Sequence, residues 1–179
     1  MTIQTRNLIV VEHLPRHLRA LVRGMEEFEN VAGLRVAYGI RDQLLSASPE
    51  FLRNLEEARQ PDPWRFGFGV VHRADNVLMG MGGFPGPPGP DGVVEIAYGI
   101  APSYQGKGYA TELANALIDF VLRNKNIRTI RAHTLPETSA STRVLQKCGF
   151  KKVRETIDPE NGLVVWRWER PIPMSSRTE

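Results

Sequence analysis

The chain has 179 residues, 41% hydrophobic and 24% charged, a length and balance that suit one globular domain and exclude an intrinsically disordered chain. Its formal charge is +3, with Lys and Arg scattered among acidic residues, so no nucleic-acid surface is indicated. Cys148 is the one cysteine, which excludes an intramolecular disulfide and a cysteine-based metal cluster. A reducing, cytoplasmic setting is therefore expected. The N-terminus has no signal-peptide pattern and no stretch reaches the ~18 apolar residues of a membrane span, so no membrane partner is expected.

In chain order, Leu8-Ile9-Val10-Val11 predicts a strand, and Pro15 opens a helical pattern carrying Leu18, Leu21 and Val22. The signal then weakens until a helix over 50–59, where Pro49 suits a first helical position. Residues 65–72 and 76–84 predict an antiparallel hairpin about the turn Arg73-Ala74-Asp75-Asn76. Glycine at every third position from Gly83 to Gly92 imitates the collagen period, but three triplets cannot hold a triple helix. An extended Pro/Gly connection is the better reading. Residues 93–100 predict a strand, followed from Ala110 by a helix whose apolar residues, from Leu113 to Leu122, fall at i, i+3 and i+4. A strand over 128–134, a short helix over 139–148 ended by Gly149, and a pair of strands around Asp158-Pro159-Glu160-Asn161-Gly162 close the domain. The expected organisation is one domain over 1–170 with a frayed tail over 171–179.

Residues 105–110 join a strand to a helix through small residues. A helix start exposes unpaired N–H groups and a partial positive charge, and Gly106 and Gly108 let an anion approach the backbone. A nucleoside-triphosphate loop needs Ser or Thr after the lysine, but Lys107 is followed by Gly108. A dinucleotide fingerprint needs a third small residue where Thr111 stands and an acid where the next strand ends in His133-Thr134. Neither fits.

The segment Gln105-Gly106-Lys107-Gly108-Tyr109-Ala110 resembles the Gln/Arg-x-x-Gly-x-Gly/Ala signature of the GNAT (Gcn5-related N-acetyltransferase) superfamily. The block from Pro136 through Ser141-Thr142-Arg143-Val144-Leu145 to Gly149-Phe150 resembles that family's second motif, most of all in the ribosomal-protein N-terminal alanine/serine acetyltransferases. The resemblance implies an α/β (α+β) fold, a mixed and largely antiparallel sheet of about seven strands flanked by helices, with strands four and five splayed to admit the pantetheine arm of acetyl-CoA. It implies that Ala97, Tyr98, Gly99 and Ile100 line that arm and that Gln105, Gly106, Gly108, Tyr109 and Ala110 cradle its pyrophosphate. Lys107 and Thr138 are further contacts to the coenzyme on the same ground.

Acyl transfer to an amine needs a base, stabilisation of the developing oxyanion and a proton for the departing thiolate. By resemblance Glu95 is the base. The family's usual acid, a tyrosine, is replaced by Leu145, which leaves Ser141 as candidate donor, and Thr138 stands where asparagine is usual. Cys148 lies on an apolar helical spacing and reads as core, and the four histidines lack metal-ligand spacing, so no metal is expected. The expected function is acetyl transfer from acetyl-CoA to a primary amine. A protein N-terminus is favoured, with a small-molecule amine or a silent acyl-CoA-binding module as alternatives and a homodimer left open.

Overall fold

The computed structural model describes residues 1–159 and 161–173. Its elements in order are β1 (Thr2–Gln4), β2 (Leu8–Glu12), α1 (Pro15–Arg23), α2 (Met25–Ala32), β3 (Arg35–Val36), α3 (Ile40–Leu45), α4 (Pro49–Glu57), α5 (Pro63–Phe66), β4 (Phe68–His72), β5 (Val77–Gly83), β6 (Val93–Glu95), β7 (Ala97–Ile100), α6 (Tyr109–Leu122), β8 (Thr129–Thr134), α7 (Ala140–Lys147), β9 (Lys151–Ile157) and β10 (Val164–Pro171). One sheet runs β1-β2-β4-β5-β3 with β7 also on β5, and a second runs β6-β8-β10-β9. The described strands exceed the seven expected because β1 and β3 are short additions and the expected strand over 93–100 is broken at Ile96 into β6 and β7.

Local chemistry explains most boundaries. Ser48 accepts from the backbone N–H of Phe51 and starts α4, and Asp62 accepts from that of Trp64 and starts α5, which makes helix of Arg65 and Phe66, where the strand over 65–72 was expected to begin. Ser139 and Thr142 form a reciprocal capping box that starts α7, each bonding the other's backbone N–H, at 2.9 and 3.4 Å. The predicted hairpin forms from β4 and β5, with Asn76 at φ 52° in its turn.

Helix α6 covers one face of the larger sheet, where Leu113 and Leu117 meet β5 at Gly82. An aromatic cluster locks that layer: Phe120 lies 5.0 Å from Trp64, 5.2 Å from Phe68 and 5.5 Å from Phe84 between ring centroids. Helices α1, α3 and α4 lie together on the opposite side, where Gln43 of α3 reaches β7 at Gly99. The tail expected over 171–179 is only partly described: Pro171 completes β10, and residues 174–179 lie outside the described residues.

Candidate active site

The site is made by a strand that changes partners. Through Val93, Val94 and Glu95, β6 runs parallel to β8, with Glu95 opposite Arg131. The N–H of buried Ile96 then donates to the carbonyl of Arg131 at 2.8 Å, and from Ala97 to Ile100 the chain pairs instead with β5. Beyond Ile96, among the described residues, β7 and β8 pair on their outer edges, to β5 and to β10, and not with each other, so their facing edges open into a wedge. Ala97, Tyr98, Gly99 and Ile100 form one wall. A Cβ on Gly99 would fall 1.9 Å from Nε2 of Gln43, the far end of a flexible side chain that reaches this wall from α3. Burial, with a smaller push from Cys148, raises the Tyr98 phenol well above its ordinary pKa, so its hydroxyl remains a donor.

The loop at the end of β7 is shaped by Gln105, whose Nε2 donates to the carbonyl of Ile100 at 2.9 Å. Gly106 and Gly108 take φ of 75° and 85°, and no side chain caps α6. Among the described residues, the backbone N–H groups of residues 106–111 donate to no protein acceptor. Successive unpaired donors at a helix start suit a phosphate. Lys107 bonds the carbonyl of Ser103 at 3.2 Å, closing the loop on itself. Tyr109 turns away to meet Nε2 of His72 at 2.9 Å, and His72 also meets Asp75, which accepts from Tyr104. Glu112, an acid in the first turn, is drawn off by Asn7, whose backbone and side chain bond it at 2.7 and 2.9 Å. Burial works to raise the Glu112 carboxyl, but bonds from Thr5, Asn7 and Leu8 together hold it below its ordinary value. The helix start therefore keeps its positive end open.

At the apex of the wedge Glu95 is held from the side. Oε1 of Glu95 lies 2.8 Å from Nδ1 of His133, and Nε2 of that ring accepts from Nε of Arg167 at 3.4 Å. Arginine is only a donor, so Nε2 must be the acceptor and Nδ1 carries the hydrogen given to Glu95. His133 and Arg167 are absent from the sequence-based expectations. The available signal was alternation, because Arg131 and His133 share one face of β8, but their neighbours are set by register between strands distant in sequence.

The remaining expected residues are not hydrogen-bonded to Glu95 or His133 among the described residues. Ser141 is exposed in the first turn of α7, and its hydroxyl makes no hydrogen bond to the described residues. Thr138 is exposed ahead of the helix, and the capping role falls to Ser139. Cys148 is buried, with its thiol raised by that burial against the pull of Arg170, and Leu145 is buried beside it in the core. His13 is a core histidine. It is buried at the end of β2 against Gly69, where a Cβ would lie 3.0 Å from its ring. No group of three or more His, Cys, Asp and Glu among the described residues is arranged to hold a metal, and no helix is long and apolar enough to cross a membrane.

A strand shared between two sheets, a wedge beyond it and an uncapped helix start at its open end define an α/β class with a parted sheet. The chain belongs to the GNAT acetyltransferase family, its residues 11–151 matching the acetyltransferase (GNAT) domain. It is 32% identical over 82 residues to the uncharacterized N-acetyltransferase YjdG of Bacillus subtilis, covering 45% of this chain and 49% of that protein. The chain thus spans about half the length of this curated relative. The ribosomal-protein-S5-alanine acetyltransferase of Vibrio fischeri shares the fold at a TM-score of 0.64 and 16% identity, covering 96% of each chain. RimL, a ribosomal L7/L12 alpha-N-protein acetyltransferase in complex with coenzyme A, shares it at a TM-score of 0.66 and 16% identity, covering 97% of this chain and 99% of that one. At these identities the likeness is one of fold.

Proposed function

We propose that the protein transfers acetyl from acetyl-CoA to a primary amine. The observation that carries this reading is the run of unpartnered N–H groups over residues 106–111 at the open end of the β7/β8 wedge. A pyrophosphate suits those donors, and an extended amide-bearing arm suits the free edge of β7. Acetyl-CoA supplies an activated acyl carbon and a thiolate leaving group.

The chain's own residues then have separable tasks. Ala97, Tyr98, Gly99 and Ile100 align the arm through backbone groups, while Gln105, Gly106, Gly108, Tyr109 and Ala110 shape the phosphate cradle. Lys107 and Thr138 are further coenzyme contacts on the ground of the family resemblance alone. Glu95 takes a proton from the attacking ammonium, so that the nitrogen lone pair can form the N–C bond as the C–S bond breaks. His133 orients the carboxylate by donating to Oε1, which leaves Oε2 for the amine. Ser141, with its hydroxyl free, is the proposed proton donor to the thiolate. The names of the two ribosomal-protein fold neighbours favour a protein N-terminus as acceptor. Leu145 in place of the usual tyrosine supports one rival, a module that binds the coenzyme without turnover.

Titration of coenzyme A into the protein, followed by acetyl-CoA assays of thiol release with N-terminal peptides and small amines, tests both. Binding with release on an amine is expected. Binding without release on any acceptor favours the rival, and no binding removes both readings.

A further inference from the structure

The outer face of the four-stranded sheet carries a charge arrangement that the transfer chemistry leaves unused. Register sets Glu95 beside Arg131, His133 beside Arg167, and Arg167 beside Arg154, all on the face opposite buried Ile130, Ala132 and Trp168. Arg131 is taken by Glu169, which accepts from its Nε at 3.1 Å and lies 3.0 Å from its Nη2. Arg167 spends only Nε, on His133. Among the described residues, neither terminal nitrogen of Arg167 nor any nitrogen of Arg154 has an acceptor.

The surroundings of Arg167 are cationic on balance. Burial, then Arg131 and Arg154, lower its pKa against the pull of Glu169 and Glu95. A half-buried guanidinium whose two terminal nitrogens, with four N–H groups, have no protein acceptor among the described residues suits a carboxylate, which such a fork binds in two parallel bonds. Its place matters as much as its charge, because only the His133 ring separates Arg167 from the carboxylate of Glu95.

We infer that the acceptor is an amine carrying a carboxylate a few bonds from its nitrogen, held by Arg167 and Arg154 while the amine meets Glu95. This rests on the function proposed above and names its substrate class. An acidic peptide N-terminus and a free dicarboxylic amino acid share that chemistry. A polyamine is disfavoured, because its second cation would face two arginines.

The test compares acetyl transfer to the tripeptide amides Ala-Asp-Ala, Ala-Asn-Ala and Ala-Lys-Ala and to free glutamate, by thiol release. In the native protein kcat/KM for the aspartyl peptide should exceed that for the asparaginyl peptide about tenfold, mostly through KM, as expected for one partly exposed charge-assisted pair. The lysyl peptide should be the poorest. Arg167→Glu should reverse the order of aspartyl and lysyl peptides. Arg154→Gln, at an exposed position, should reduce the ratio of aspartyl to asparaginyl kcat/KM about threefold, which keeps the test open if Arg167→Glu fails to fold. Coenzyme A affinity should be the same in all three proteins. Turnover of free glutamate that depends on Arg167 supports the same assignment and marks the natural acceptor as a small acid.

Equal kcat/KM for aspartyl and asparaginyl peptides would overturn the inference while leaving acetyl transfer standing. A change in coenzyme affinity in place of acceptor KM would assign the arginines to the donor and overturn it too. Absence of thiol release with every acceptor would remove the proposed function and the inference together.

Discussion

Nδ1 of His133 donates to Oε1 of Glu95 at 2.8 Å, across two strands that pair in parallel until one residue further on. The bond orients a carboxylate that is about a third exposed, with side-chain relative accessibility of 35%, and its partner His133 is held in turn by Arg167. Loss of the donor should therefore reduce kcat with little effect on coenzyme binding. His133→Leu is expected to lower kcat about tenfold, the lower part of the range for a bond to a charged group at a partly exposed site. In His133→Asn the amide nitrogen replaces Nδ1, and kcat should recover to within about threefold of native. Steady-state kinetics beside a coenzyme titration decides it, and equal losses in both variants would reduce His133 to a packing residue.

Gly108 begins α6 at φ 85° with open space where a Cβ would stand. Gly108→Ala should then cost about 1 kcal/mol of stability through backbone strain alone. It should also weaken coenzyme A binding, because the added methyl lies on the backbone proposed to cradle the phosphate. Urea unfolding and calorimetric titration separate the two effects. A stability loss with native affinity would move the phosphate away from this turn.

His13 makes the protein acid-sensitive. Burial, with a smaller contribution from His17, lowers its pKa from 6.5 to about 3, and its Nε2 has no hydrogen-bond partner among the described residues. The unfolded chain binds this proton below pH 6.5 and the folded chain does not until about pH 3, so stability falls as pH drops through that window. The slope from this residue approaches ~1.4 kcal/mol per pH unit well inside the window. His13→Leu should flatten the profile of unfolding free energy between pH 6 and pH 4, roughly the middle of that range. An unchanged slope would show that His13 is reached by water or a proton in the folded state.

Phe68 is fully buried and meets Phe84 and Phe120 edge to face, at 6.4 and 5.2 Å between centroids. Phe68→Ala should cost about 3–5 kcal/mol, as large-to-small changes in well-packed cores do. The midpoint of urea unfolding should fall accordingly with the slope unchanged. A loss below about 1 kcal/mol would mean that the cluster collapses around the gap, since residual cavity volume sets the cost.

Much of this molecule was legible in the sequence because the signals are local. The 3.6-residue spacing from Leu113 to Val121 specified the core face of α6, and all but the exposed Leu122 in that series from Leu113 lie buried. Gly106 and Gly108 marked the turn because positive φ restricts residue choice, and Ser48-Pro49 marked the start of α4. The chemistry around Glu95 was not legible in the same way. A strand over 93–100 reads as continuous because its break at Ile96 depends on which neighbour each half can pair with, β8 before it and β5 after it. Register likewise brings His133, Arg167 and Arg154 beside one another from three strands. The sequence by itself determined the fold class, the anion-ready turn and the family resemblance, through periodicity and backbone restriction within a few residues. Only the tertiary structure decided where the sheet opens, what holds Glu95 and which cations stand without partners, because those follow from pairing across long separations that no local pattern encodes.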